Sequence, residues 1–400
     1  MSDSTASTAP YIEYSSKSFF AILVSLFLAG FAIFSSLYCV QPMMPILTQF
    51  FAISPTQSSL TLSVSTIALA IGLLFTGLIS DRFGRKPIMV YSLFCAASLL
   101  ILSACFPKWH IFLLTRILLG LTVSGVAAVA MTYIGEEIAQ KDIGFAMGLY
   151  ISGTAIGGMG GRLIAGVLVD FISWQSATLF IGILNLLAAF IFYLLLPASK
   201  HFKAYPICFT RFKTALMHNL RDPKLCLLFV QGFILMGCFV SIFNYISYHL
   251  LEHPFHVSQS MIGLISIAYL CGIYSSPRAA AWGKRFGRNH VLIAMLLLML
   301  LGLMTMLISH IGFILLGLMI FTFAFFAAHS TVSSWVAIQS LQYKAMGSSL
   351  YLFFYYCGSS ILGSSSGAIW ESLGWFGLIL SIATILCLGV AIACYLQKRE

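Results

Sequence analysis

Charge is what this sequence has least of. Only 8% of its 400 residues are Asp, Glu, Lys or Arg, where a water-soluble domain carries about a quarter. With 60% of the residues hydrophobic, no water-facing surface can be built over most of the chain, so its solvent there is lipid. Paired cysteines are missing too. The ten cysteines include no Cys-x-x-Cys and stand mostly singly in apolar runs, as at Cys39, Cys95, Cys105, Cys238, Cys271 and Cys387. That excludes a metal-ligand cluster and a disulfide framework, and leaves cysteine as a small hydrophobe. No Gly-x-x-x-x-Gly-Lys run and no Ser-His-Asp arrangement in a soluble site occurs. Neither ATP chemistry nor an enzyme is therefore expected, and no cofactor is implied. Residues 1–17 lack the basic start and short apolar core of a cleaved signal peptide, so a disordered tail before a retained helix is expected.

What is present in abundance is the long apolar run. A helix needs about twenty such residues to cross the hydrocarbon. Twelve runs qualify, near 19–46, 58–80, 87–106, 109–133, 144–169, 176–196, 226–250, 259–282, 290–309, 311–340, 345–370 and 375–396. The expected architecture is all-α and integral to the membrane, in five parts. These are a tail 1–17, a six-helix bundle 18–196, a basic central loop 197–225, a second six-helix bundle 226–396 and a short tail 397–400. Of 21 cations, Lys108 lies on one side, Arg116 and Arg162 lie inside spans, and the remaining eighteen gather on the other side. Short cytoplasmic loops hold the positive charge, so both termini and the central loop are expected to be cytoplasmic. The formal net charge of +10 is spread over loops, which suits an anionic lipid leaflet and not a nucleic acid.

The halves repeat. Arg82-Phe-Gly-Arg85 returns as Arg285-Phe-Gly-Arg288, and Ala146-Met-Gly148 as Ala345-Met-Gly347. Gly166, Asp170 and Trp174 have the spacing of Gly367, Glu371 and Trp375. Such a common order marks a parallel repeat of two bundles, the plan of a rocking transporter. The loop Gly77-x-x-x-Asp81-Arg82-x-Gly84-Arg85-Lys86 adds chemistry to topology. Gly77 would let two helices approach and Gly84 would permit a tight reversal. Asp81, at a helix end, can receive hydrogen bonds from a neighbouring helix N-terminus and pair with a cation. A plain topology stop would need the cations but neither the carboxylate nor the glycines. In the second copy Lys284 stands for Asp81 and Asn289 for Lys86, so that copy keeps the topology and loses the latch.

This loop, the twelve spans and the repeat resemble the major facilitator superfamily. The stretches LYCVQP at 37–42, SGVAAVAMTYIGEEI at 124–138 and MGLYISGTAIGGMGGRL at 147–163 resemble its YnfM-like bacterial inner-membrane members, near the drug:proton antiporters. The resemblance implies that Gly77, Asp81, Arg82, Gly84, Arg85 and Lys86 latch the cytoplasmic side in the outward-open state. It links Arg116 to coupling or to substrate charge. It likens Gly153, Gly157 and Gly161, which share one face at intervals of four, to an antiporter motif through which helices of opposite halves touch. The proline of that motif is Gly158 here, and Arg162 replaces a glycine.

A charge inside a span is costly and is by default a functional hypothesis. All eleven carboxylates lie in tails, loops or span ends, leaving Arg116 and Arg162 with an anionic substrate, or with backbone carbonyls and water, as partners. His329 is the group best placed to exchange a proton, or else it bonds a helix carbonyl. Tyr38, Gln41, Gln231, Asn244, Tyr245, Tyr355 and Tyr356 are cavity candidates, each also suited to plain helix–helix contact. The function expected is secondary-active transport of a small organic solute by a proton-coupled monomer of the bacterial inner membrane, of the drug or metabolite efflux type. The alternatives are transport of an organic anion, such as a carboxylate-rich metabolite or siderophore, and a non-transporting receptor on the same scaffold.

Overall fold

The computed structural model describes residues 10–14, 16–106, 108–204 and 208–398. Among these the chain is helical, apart from one isolated bridge between Ile12 and Ile138. The first half comprises α1 (Lys17–Tyr38), the short α2 (Met44–Phe51), α3 (Pro55–Phe83), α4 (Arg85–Cys105), α5 (Trp109–Glu137), α6 (Ile143–Phe171) and α7 (Trp174–Leu195). A further helix, α8 (Phe209–Arg221), folds out of the stretch expected to be only a loop. The second half comprises α9 (Pro223–Leu251), α10 (Gln259–Ile265) continuing through a 3-10 turn into α11 (Tyr269–Phe286), α12 (Arg288–Thr305), α13 (Ile311–Gln339) and α14 (Lys344–Gln397).

Eleven helical segments are long and apolar enough to cross a membrane. The last of them contains two spans. At about 1.5 Å per residue, the 54 residues of α14 would run ~80 Å if straight, but Gly374 leaves the helical region at φ 62, ψ −159 and folds the chain back. Twelve crossings result, as the apolar runs predict. The first span stops earlier than expected. Pro42 has no N–H to donate, so α1 ends at Tyr38 and a turned segment leads into α2. Ends are set by side-chain caps: Ser54 with Gln57 forms a capping box on α3, and Asp222 receives the N–H groups of Lys224 and Leu225 on α9.

The repeat is visible in packing. α6 lies on α1 in the first half as α14 lies on α9 in the second. A Cβ on Gly153 or Gly157 would fall 2.5 Å from the carbonyl oxygens of Phe27 and Phe31, and one on Gly161 2.6 Å from Ser35 Cα. These glycines therefore seat α6 on α1 of their own half, not against the opposite half as the motif implies. Gly84 and Gly287 hold φ +96 and +87 at equivalent reversals, a region other residues enter only with strain.

The ends bearing Arg82, Arg85, Arg285 and α8 form a basic face; those bearing α2, Trp109, Trp174 and His310 form the far face. At the basic face the end of the expected disordered tail is ordered. Ile12 N–H donates to Glu137 O at 2.9 Å, Ala139 N–H to Ile12 O at 3.0 Å, and Tyr14 N–H to Asp142 Oδ2 at 3.0 Å. Residues 1–9, 15, 399 and 400 of the two expected tails lie outside the described residues.

Candidate functional site

The latch loop closes inside its own half. Arg85 is 6% exposed. It donates through Nη2 and Nε to Glu136 at 2.7 and 3.0 Å, and through Nη1 to Asp81 at 2.6 Å and Ser80 Oγ at 2.9 Å. Phe202 lies under the guanidinium at 5.3 Å. Lys86 reaches the carbonyl of Leu196, where α7 ends. Among the described residues Arg82 meets no carboxylate; it lies over the Phe83 ring at 5.6 Å. Among the described residues, no bond of Asp81, Arg85 or Glu136 crosses to the second half. Gly77 makes no close approach here; a Cβ added to it would meet nothing within 4 Å. The partner Glu136 was not singled out from the sequence as a latch residue, because α5 brings it up from fifty residues away.

The two membrane arginines meet different fates at the end of α1. Arg116 has 0% exposure and spends all three guanidinium nitrogens on backbone: Thr61 O at 2.9 Å, Ser36 O at 2.8 Å and Leu37 O at 2.6 Å. The last carbonyls of a helix lack intrahelical donors and favour a cation. Arg116 thus ties α5 to the broken end of α1 and to α3, which is the carbonyl-bound arrangement and not one open to a solute. Arg162, 2% exposed, sits across the seam between the halves. Its Nε donates to Gln41 Oε1 at 2.5 Å and its Nη1 to Gly158 O at 2.6 Å. The rings of Tyr38, Tyr269 and Phe243 stand 4.2, 4.8 and 5.5 Å from its guanidinium carbon. Among the described residues Nη2 is buried without a well-formed hydrogen bond, the Tyr269 hydroxyl being drawn toward the guanidinium. Beside it lies a void of about 10 Å³ lined by residues including Gln41, Ser247 and Ser266, room for about one water.

Gln41 links this cage to the second half, donating to Asn244 Oδ1 at 2.7 Å. His329 on α13 does not bond a helix carbonyl; its Nδ1 pairs with the Tyr351 hydroxyl at 2.8 Å, and Tyr355 packs on it at 4.6 Å between ring centres. Tyr355 in turn lies 5.2 Å from Tyr356. Gln231 is turned to its own half, donating to Gly389 O at 2.6 Å, whereas the Tyr245 hydroxyl donates to Gly363 O at 3.1 Å and also meets Ser59 of α3 across the seam. Of the cavity candidates, then, Tyr38 and Gln41 meet Arg162 and Asn244 joins through Gln41, while Tyr355 packs on His329 and Tyr356 on Tyr355, with Tyr38 close to both tyrosines. Tyr269, Phe243 and Tyr351 belong with them and carried no sequence signal beyond being aromatic in an apolar run.

Direct bonds between the halves run from mid-depth to the far face. Ser360 Oγ bonds Ser63 O at 2.9 Å and Thr66 Oγ1 at 2.7 Å, Ser364 bonds Ser63 Oγ at 2.6 Å, and Thr48 bonds the Tyr248 hydroxyl at 2.7 Å. At the far face itself Glu371 receives Thr56, and Asp170 receives the start of α10. Among the described residues, no comparable ties join the two helical bundles at the basic face.

Comparison with known proteins agrees with this architecture. Residues 26–337 match the Major Facilitator Superfamily. The chain is 46% identical over 392 residues to the inner membrane transport protein YnfM of Escherichia coli, covering 97% of this chain and 93% of that one. It is 45% identical over 382 residues to an uncharacterized transporter of Buchnera aphidicola, covering 96% and 92%. A crystal structure of the nucleoside transporter NupG superposes with a TM-score of 0.81 at 13% identity, covering 94% of this chain and 99% of that one. An inward-facing, occupied bacterial homolog of the human lysosomal transporter Spinster gives 0.79 at 14% identity, covering 96% and 98%.

Proposed function

The chain belongs to the major facilitator superfamily and is a multi-pass membrane transporter, and from that premise we propose that it moves a small organic solute by alternating access across a bacterial inner membrane. The observation that carries the reading is the one-sided seam: bonds tie the halves from mid-depth to the far face, while Asp81 and Arg85 at the basic face stay within one half. This is the arrangement of a carrier open toward its basic side. The positive-inside rule makes that side the cytoplasm and puts both termini there. The likeness to an inward-facing homolog of Spinster supports the same state. In the other state Asp81 and Gly77 meet the second half, and the latch closes. One chain holds both bundles and acts as a monomer. A proton drives the cycle through His329, which exchanges it with the cavity while the Tyr351 hydroxyl holds its Nδ1.

Arg162 favours an anionic solute over a cationic one. Among the described residues it is a buried charge with no carboxylate beside it and one nitrogen without a well-formed hydrogen bond, and such a charge is costly unless an opposite one visits. In the state described here Gln41 and Gly158 hold it; parting of the seam exposes it. Benzoate, benzamide and benzylammonium, matched in shape and differing in charge, test this by thermal shift of the purified protein. Benzoate raises the melting temperature of the wild type and not of Arg162→Gln, while Arg162→Lys keeps part of the effect. Stabilisation by benzylammonium alone, or benzoate acting equally on wild type and Arg162→Gln, contradicts it.

A further inference from the structure

We infer that Asp170 and Glu371 are a repeat-related pair of gating residues that hold the far face shut. Each lies at the far end of a glycine-bearing span, four residues after a glycine: Gly166-x-x-x-Asp170 on α6 and Gly367-x-x-x-Glu371 on α14. Each glycine touches the other half. A Cβ on Gly166 would fall 2.5 Å from Gly263 Cα, and one on Gly367 2.5 Å from Thr56 Oγ1 and 2.7 Å from Thr56 Cα. One turn further on, each acid receives the first turn of the helix that the glycine lets in.

The two contacts follow one rule with one informative difference. Ser258 caps the span that α10 begins by accepting Met261 N–H at 3.3 Å, which leaves the first two N–H groups over. Asp170 takes both, from Gln259 at 3.2 Å and Ser260 at 2.7 Å. Ser54 caps α3 in the same way, accepting Gln57 N–H at 3.2 Å. There the first helical residue is Pro55, which has no N–H. Glu371 therefore takes the Thr56 N–H at 2.8 Å and, in place of the missing donor, the Thr56 hydroxyl at 2.7 Å. A carboxylate at a helix N-terminus is favoured by both its hydrogen bonds and the helix dipole. Here each such contact joins one half to the other, and both acids are solvent-exposed, so water can replace the contacts when the halves part. The far-face pair is the counterpart of the Asp81 latch and works in the opposite state: breaking one set accompanies closing the other. Unlike the Asp81 loop, whose second copy lost its acid to Lys284, this device is present in both halves.

The inference rests on the alternating-access reading, and distances between spin labels test the two separately. With the native cysteines replaced, one label pair at Lys108→Cys and Ser309→Cys reports the far face, and another at Lys141→Cys and Gln342→Cys the basic face. Asp170→Asn with Glu371→Gln raises the far-face open population about tenfold, the equivalent of losing some 1.4 kcal/mol of charge-assisted bonding, and shortens the basic-face distances in step. Each single variant gives part of the shift, and Asp170→Glu restores the closed distances. Should the double variant fold poorly, both pairs broaden together, and the single variants decide. Unchanged distances in variants that fold, while the wild type populates both states, overturn the gate alone. One fixed pair of distances in every form, with and without solute, overturns the alternating-access reading beneath it.

Discussion

The two basic loops have the same backbone and different chemistry. Arg82-Phe-Gly-Arg85 and Arg285-Phe-Gly-Arg288 both turn at a glycine with positive φ, and Arg82 and Arg285 both lie over the next phenylalanine, at 5.6 and 5.0 Å. In the first loop Asp81, Ser80 and Glu136 then draw Arg85 inward; in the second, Lys284 leaves Arg288 without that nest. The reversal belongs to topology, which both halves need. The ion network around Arg85 is present in one copy only, which fits the proposal that it serves the cycle. The far face shows the converse, with an acid kept in both halves where closure takes two contacts.

The comparison is broken most forcefully through the helix contacts that the halves share. Gly157→Val in α6 and Gly358→Val in α14 each force a helix off its neighbour's backbone, and each lowers stability by about 3 kcal/mol. Denaturant midpoints in detergent measure both; a large loss in one half only denies that the packing repeats. Next comes the asymmetry. Arg85→Gln leaves Asp81 and Glu136 facing each other without a cation and costs about 2 kcal/mol, discounted because both carboxylates reach solvent, whereas Arg288→Gln stays within about 0.5 kcal/mol. Equal losses would mean the second loop hides a network of its own. Gly84→Ala and Gly287→Ala then cost about 1–2 kcal/mol each, and the equality of the two is the expected result. Smallest in stability is His329→Gln, which leaves the unfolding midpoint almost unmoved and flattens the pH profile of transport. An unchanged profile would remove His329 from coupling.

Much of this fold was legible in the sequence because lipid imposes simple demands. Length and apolarity place the twelve spans, and the order of Gly166, Asp170 and Trp174 against Gly367, Glu371 and Trp375 gives the repeat. The partners of those features were less legible. Spacing shows that Gly153, Gly157 and Gly161 share a face, but not that the face meets α1 of the same half. Arg116 reads as a bare charge until the break at Pro42 leaves carbonyls of α1 for it to bond, eighty residues away. The cage of Tyr38, Tyr269 and Phe243 around Arg162 is drawn from spans that no local pattern connects. Glu136 and the far-face targets Thr56 and Ser260 stayed hidden for the same reason.

Gly77 offers the most direct test of a latch that opens and closes. In the state described here a side chain at that position meets nothing. A cysteine placed there is therefore predicted to react quickly with a membrane-impermeant thiol reagent applied from the cytoplasmic side, and to react more slowly in the Asp170→Asn, Glu371→Gln variant, in proportion to the population that variant moves. Labelling from the external side, or a rate that is the same in both proteins, would contradict the account.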